Sequence, residues 1–149
     1  MGKGIDVAII VGAHPAVTLA AAAKPAIEVD EYDIAGSILG EPLRLVQGKT
    51  VDVAYPAQAE IVLEGKILPT VREPEGPFGE FTGYSTSRST ENVFIITAIC
   101  HRKNPISDII APGATKDHLY LARVAREAAT LQRLKERIPW VKDIAYPKS

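Results

Sequence analysis

Several things are scarce in this sequence, and each scarcity excludes something. There is one cysteine, Cys100, so no disulfide forms within the chain, which suits a reducing cytoplasm. An excess of charge is missing. The 17 Lys+Arg against 18 Asp+Glu leave a formal net charge of -1, which gives no non-specific grip on nucleic acid or an anionic membrane. Long apolar runs are missing too. The run Val7 to Val11 is too short to span a membrane and lacks the pattern of a signal peptide. No repeat and no low-complexity linker interrupts the chain.

What is present has an ordinary globular balance, 46% hydrophobic and 23% charged over 149 residues. Residues 1–149 fit a single domain with a real core.

Ile5 to Gly12 reads as a buried strand stopped by its glycine. The alanine-rich stretch Ala16 to Ala23 favours helix, and Lys24-Pro25 ends it. A second short helix is expected over Asp30 to Leu39, capped by Asp30 and closed by Gly40. The middle of the chain is β-like: Pro42 to Gln47, Val51 to Tyr55 and Ala59 to Leu68. In the last of these, Ile61 and Leu63 point one way and Glu60, Val62 and Glu64 the other, with a turn or bulge signalled at Gly65-Lys66. Asn92 to Arg102 is the strongest strand, and Ser107 to Ala111 suggests a further short one. Thr115 to Arg137 is the clearest helix. Its Leu121, Val124, Ala128, Leu131, Leu134 and Ile138 recur at helical spacing, and Thr115 is placed to cap it. This order is not a regular βαβ alternation, so an α+β fold with an antiparallel barrel is expected.

Residues 73–84 read Glu-Pro-Glu-Gly-Pro-Phe-Gly-Glu-Phe-Thr-Gly-Tyr. The glycines and prolines predict an irregular loop between strands. Glu75 and Glu80 flank a stiff Gly-Pro-Phe-Gly spacer, a good way to place carboxylates for acid–base work because little entropy is lost in positioning them. Taken alone, the segment reads more readily as a surface turn with two solvated glutamates.

The string EGPFGE, followed by aromatic-Thr-Gly-Tyr and preceded by AEIVLEG, resembles the signature of the UbiD family of reversible decarboxylases of aromatic and α,β-unsaturated acids. GAHPAVTLAAAAKP, VDEYDIAGSILGEPLRLVQGKTVDVAYPAQ and STENVFIITAICHRKNPI resemble the family's central domain in order and spacing, so the likeness covers essentially the whole chain. It implies a split, flavin reductase-like β-barrel with the long C-terminal helix packed on it. It implies prenylated FMN, to whose azomethine ylide the substrate adds before carbon dioxide leaves and a proton is delivered to the same carbon.

By the same resemblance, Glu80 matches the proton donor, and Glu75 matches the glutamate that holds an arginine in a Glu-Arg-Glu network. A donor of this kind needs a dry surrounding. Glu31 matches the acidic ligand of the divalent metal, Mn or Mg, that ties the flavin phosphate to the protein. The residues alone explain Glu31 as a favourable charge in a helix's first turn. Ala20, Ala21, Ala22, Ala23 and Lys24 match residues that line the flavin and offer backbone carbonyls to a monovalent cation, K+ in the family.

The family's metal-binding asparagine and histidine and its network arginine come from upstream of this domain. Nothing before Ile5 supplies them here, His14 is in the wrong place, and the His101-Arg102 pair is expected to be solvated. The family's C-terminal domain would begin where the chain stops. The expectation is therefore a domain lacking the family's N- and C-terminal domains, an excised piece or a split-gene fragment. Its partners would be those segments of the same enzyme or partner subunits, an aromatic acid substrate and, in a homo-oligomer, further copies, with neither nucleic acid nor membrane. Alone it should be inactive. The competing readings are a stand-alone flavin-binding module and a small barrel kept for assembly. The co-occurrence of Glu31, Glu75 and Glu80 favours the enzyme part.

Overall fold

A computed structural model describes residues 3–23, 25–80, 84–107, 109 and 116–146. The elements run β1 (Ile5–Val11), α1 (Pro15–Ala22), α2 (Glu31–Leu39), β2 (Leu45–Gln47), β3 (Ala54–Pro56), β4 (Ile61–Glu75), β5 (Ser89–His101) and α3 (Lys116–Arg137). Among the described residues all strand pairings are antiparallel, and the fold is α+β as expected. The chain divides into two compact units: residues 1–14, 44–79 and 85–109 carry the strands, and residues 15–43, 80–84 and 110–149 carry the helices.

In the strand unit, β4 lies at the centre of a three-stranded sheet ordered β1-β4-β5, and β2 pairs with β3 in a separate two-stranded ribbon. The alternation read in the sequence sets the faces. Val62 and Glu64 are buried on one side of β4, while Ile61 and Leu63 lie on the other, half-buried. The buried side forms the unit's small core with Val51 and Tyr55. The signal at Gly65 is a β-bulge: the register shifts between Glu64 and Gly65, so Glu64 faces Ala98 and Gly65 faces Ile96. Only glycine fits there, because a Cβ on Gly65 would collide with the Ile95 carbonyl and come within 2.7 Å of the Phe94 ring. Among the described residues no strand pairing joins the two sheets.

Three sequence expectations change. The strands predicted at Pro42 to Gln47 and Val51 to Tyr55 shrink to three residues each. The residues between them instead form a turn in which the Gly48 N–H donates to the Val53 carbonyl at 2.9 Å, and Val51 turns into the core. The strand predicted to end at Leu68 runs on to Glu75 through Pro69 and Pro74. Pairing of β1 with β4 stops at Ile5↔Ile67. Beyond that point β4 has no partner but β5 among the described residues, and at such an edge proline's missing N–H is tolerated. Third, Ser107 and Ile109 lie in no strand, and the rest of the strand suggested at Ser107 to Ala111 lies outside the described residues.

In the helical unit, α1 packs on α2 and on α3. The buried residues of the first two helices are all alanines, Ala16 and Ala20 on α1 and Ala35 on α2. The predicted caps of α2 form. Asp30 Oδ1 accepts from the Tyr32 N–H at 2.8 Å, and Gly40, at φ 77°, donates its N–H to Gly36. In α3, Leu131, Leu134 and, just beyond it, Ile138 are half-buried, but Ala128 is exposed. The half-buried stripe passes through Glu127 and Thr130 instead, because the tail returns along that face: the Tyr146 N–H donates to Glu127 at 2.9 Å, and the Tyr146 and Thr130 hydroxyls are 3.1 Å apart. The cap residue Thr115 and the side chains of Leu121 and Val124 lie outside the described residues. No helix among the described residues is long and apolar enough to cross a membrane.

Candidate functional site

The motif segment is more regular than its glycines and prolines suggest. Its first residues, Glu73 to Glu75, are the end of β4, and residues 76–80 beyond them form the expected loop at the narrowing end of the β4–β5 hairpin. Glu75, the last residue of β4, faces Ser89, and a bridge joins Gly79 to Ser85 farther out. Between them the Thr86 N–H donates to the Phe78 carbonyl at 2.8 Å, and the Phe78 N–H donates to Thr86 Oγ1 at 3.1 Å. Gly76 takes φ 75°, a conformation that side chains disfavour, and the Gly76-Pro77 bond is cis. Glu75 is exposed and belongs to the strand unit. Glu80 is half-buried, belongs to the helical unit and donates its N–H to the Tyr84 carbonyl at 2.8 Å.

The other sequence-predicted positions are on the packed helices α1 and α2. Ala20 is buried, Ala21 exposed, and Ala22 and Ala23 half-buried. The Ala20 carbonyl accepts the Ala23 N–H at 3.0 Å as the helix ends; a carbonyl has a second lone pair for another partner. Lys24 lies outside the described residues. Glu31 opens α2 and is exposed, whereas its neighbour Asp30 spends its carboxylate on the helix cap. No group of three or more His, Cys, Asp or Glu gathers as a metal cluster among the described residues.

One polar residue was not singled out from the sequence. Glu64 is 0% exposed. Its Oε1 accepts the Lys49 N–H at 2.9 Å and the Tyr55 hydroxyl at 2.9 Å; its Oε2 accepts the Thr50 N–H at 2.7 Å and the Thr50 hydroxyl at 2.8 Å. The Cys100 thiol approaches at 3.8 Å. The Lys49 N–H lowers the carboxyl pKa most; burial opposes it, and the Thr50 and Tyr55 donors carry the net result down to about 2. The same contact acts on Tyr55, whose pKa is raised first by burial and then by the Glu64 carboxylate. Glu64 therefore ties the turn at 48–51 to the start of β4. The available signal was its alternation with Val62, which put a carboxylate on the apolar side of a strand.

Two further carboxylates close the ends of the sheet. Asp6 accepts the Asp52 N–H at 2.9 Å and the Lys66 ammonium at 2.6 Å, and both depress its pKa. Glu60 accepts the Ile106 N–H at 3.1 Å and pairs with Arg102 at 2.7 Å, with the same effect. Arg102 is thus exposed, as expected, but engaged. His101 is exposed as well, with Nδ1 2.7 Å from the Arg102 carbonyl.

Comparison with known proteins gives this geometry a context. The family model for the UbiD 3-octaprenyl-4-hydroxybenzoate carboxy-lyase Rift-related domain matches residues 1–115. A phenolic acid decarboxylase of Bacillus subtilis is 36% identical over 148 residues, 98% of this chain and 29% of that protein. The UbiD-class enzyme HmfF of Pelotomaculum thermopropionicum, in an evolved dimeric form in complex with prFMN, superposes with a TM-score of 0.94 at 45% identity, over 99% of this chain and 34% of that one. Vanillic acid decarboxylase of Sedimentibacter hydroxybenzoicus, in its closed form, gives a TM-score of 0.88 at 34% identity, over 96% of this chain and 31% of that one. The chain thus spans about three tenths of the length of these relatives. It belongs to the UbiD family.

Proposed function

We propose that this chain is the central domain of a larger decarboxylase that uses prenylated FMN on aromatic or α,β-unsaturated carboxylic acids. The observation that carries this reading is the 45% identity and TM-score of 0.94, over 99% of the chain, to an enzyme holding prFMN. The intact EGPFGE string at the end of a tied hairpin supports it. In the whole enzyme the strands would complete a split barrel.

The residues fit such a cofactor. Ala20 to Ala23 present nothing bulkier than methyl groups, with Ala21 exposed, so a flat ring system meets no steric obstacle there. Glu31 offers one exposed carboxylate, a partial donor set for Mn or Mg that phosphate oxygens and outside side chains would complete. The bound flavin would supply the electron sink for loss of carbon dioxide. This chain's own residues would bind, orient and move a proton. Glu80, half-buried here, would deliver the proton to the carbon that loses carbon dioxide. Glu75 would hold an arginine from outside this segment by a charge-assisted bond. Lys24 would add positive charge near the phosphate.

The test is a chimera in which this chain replaces the matching third of HmfF, assayed for flavin content and turnover side by side. Glu80→Gln should keep the flavin and lose turnover. Glu31→Gln should lose flavin. Glu75→Gln should keep flavin with reduced turnover. A Glu80→Gln chimera with full activity would leave the motif as a plain turn and sink the assignment.

A further inference from the structure

The register of the β4–β5 ladder persists beyond the ends of the two strands. Glu75 faces Ser89, and farther out Gly79 faces Ser85. That register sets Phe78 opposite Thr86. In a regular hydrogen-bonded antiparallel pair, the two residues exchange both main-chain bonds. Here one half of the exchange is altered. The Thr86 N–H donates to the Phe78 carbonyl at 2.8 Å, but the Phe78 N–H donates to the Thr86 hydroxyl, Oγ1, at 3.1 Å. The hydroxyl stands where the ladder would use the facing carbonyl. The same oxygen lies against Gly76. A Cβ on Gly76 would come within 3.2 Å of Thr86 Oγ1 and 3.1 Å of the Ser87 carbonyl oxygen. Thr86 is half-buried, whereas Ser85 and Ser87 beside it are exposed. One side-chain oxygen thus touches the Gly-Pro-Phe-Gly spacer at two points.

We infer that Thr86 is a positioning residue for the motif: its hydroxyl fixes the path of the chain from Glu75 to Gly79, and so the point from which Glu80 is presented. The inference rests on the reading of Glu80 as the proton donor. A donor must stay within reach of the atom it protonates, and a misplacement of about 1 Å can cost a factor on the order of a hundred. Glycine at both ends of the spacer leaves its backbone free unless something ties it. Pro77 has no N–H to give to the ladder, so the tie falls to the neighbouring Phe78 N–H and its hydroxyl acceptor.

Thr86→Val and Thr86→Ser in the HmfF chimera test it, beside Glu80→Gln. Valine keeps the shape and loses the acceptor; serine keeps the acceptor. Flavin content, KM and kcat per bound flavin are measured together with amide hydrogen exchange at Phe78. In Thr86→Val, Phe78 should exchange about tenfold faster, the effect of losing one hydrogen bond. Its kcat per bound flavin should fall roughly ten- to a hundredfold, with KM and flavin content unchanged. Thr86→Ser should match the parent chimera in all four measurements. A hydroxyl that only stabilises the turn would, when lost, lower the amount of flavin-loaded enzyme and leave the rate of each loaded molecule alone. That result would overturn the inference. So would an unchanged kcat in Thr86→Val beside an inactive Glu80→Gln, or a fall in kcat without faster exchange at Phe78. Full activity in Glu80→Gln is a separate result: it removes the functional reading itself, and this inference falls with it.

Discussion

Strand β4 carries two glutamates with opposite surroundings. Glu64, near its start, is sealed from solvent and bonded to four donors on the 49–55 segment. Glu75, at its end, is exposed. Residue type and strand are the same; what differs is who supplies the hydrogen bonds. A carboxylate whose lone pairs are filled by the chain's own N–H and O–H groups is held ionised and has no capacity left for chemistry. An exposed carboxylate at the turn end of a hairpin has lone pairs open to a partner. If Glu75 has the proposed role, β4 divides its glutamates between holding the fold and presenting a group to something beyond it.

The sharpest way to break this comparison is to remove each carboxylate in turn and measure both turnover and stability. The largest expected effect is on turnover. Glu80→Gln in the completed enzyme should cost a factor on the order of a hundred to ten thousand, the usual contribution of a general acid, with an unfolding midpoint close to wild type. Glu64→Ala should do the reverse. It leaves the Lys49 and Thr50 N–H groups and the Tyr55 hydroxyl without their acceptor, and should destabilise the chain by about 3 kcal/mol in denaturant unfolding. Glu75→Ala should shift stability by less than about 0.5 kcal/mol, as exposed substitutions do. Equal losses for Glu64→Ala and Glu75→Ala would erase the distinction.

A pH titration sharpens the same contrast. The Glu64 pKa falls from 4.5 to about 2 on folding. A depressed carboxyl contributes stability that is fully present above its unfolded value and is lost as pH falls through the folded one. Wild type should therefore lose stability relative to Glu64→Gln between about pH 4.5 and about pH 2, and the gap should have closed at the acid end. Asp6 and Glu60 are shifted the same way, so both proteins weaken in acid, and only the difference between them reports Glu64. A gap that stays constant through this window would mean that Glu64 is not held ionised.

Much of the fold could be read from periodicity, because helix and strand patterns are local. β1, α1, α2 and the body of α3 fall within a residue or so of where caps, alanines and apolar spacing put them. The short ribbon strands did not, since Val51 and Val53 look extended in sequence but lie in a turn held by Glu64, a residue distant along the chain. The hairpin stem was hidden by Pro69 and Pro74, which argue against a strand until one knows that this part of β4 is an edge. For the candidate site, composition alone yields two glutamates on a stiff spacer; their roles came from the family resemblance. Glu64 was visible only as an oddity of alternation. Its importance depends on donors from another part of the chain, and no local pattern records those.

The smallest expected effect concerns the hairpin stem that leads from Glu64 toward the motif. Glu73 and Glu91 are cross-strand partners, so two like charges face each other on an exposed ladder, one step before Glu75 on the same side. Directly opposed like charges are unfavourable, and an opposed pair of opposite sign contributes roughly 0.2–1 kcal/mol. Glu91→Lys should therefore raise the unfolding midpoint slightly, and more at low salt than at high salt, because the pair is solvent-screened. It also places an ammonium beside Glu75. If Glu75 serves to hold an arginine from outside this segment, the new lysine competes for the same carboxylate. Turnover of the completed enzyme should then fall modestly while the isolated chain gains stability. A stabilised chain with unchanged turnover would keep the electrostatic argument for the stem and remove Glu75 from the role of arginine partner.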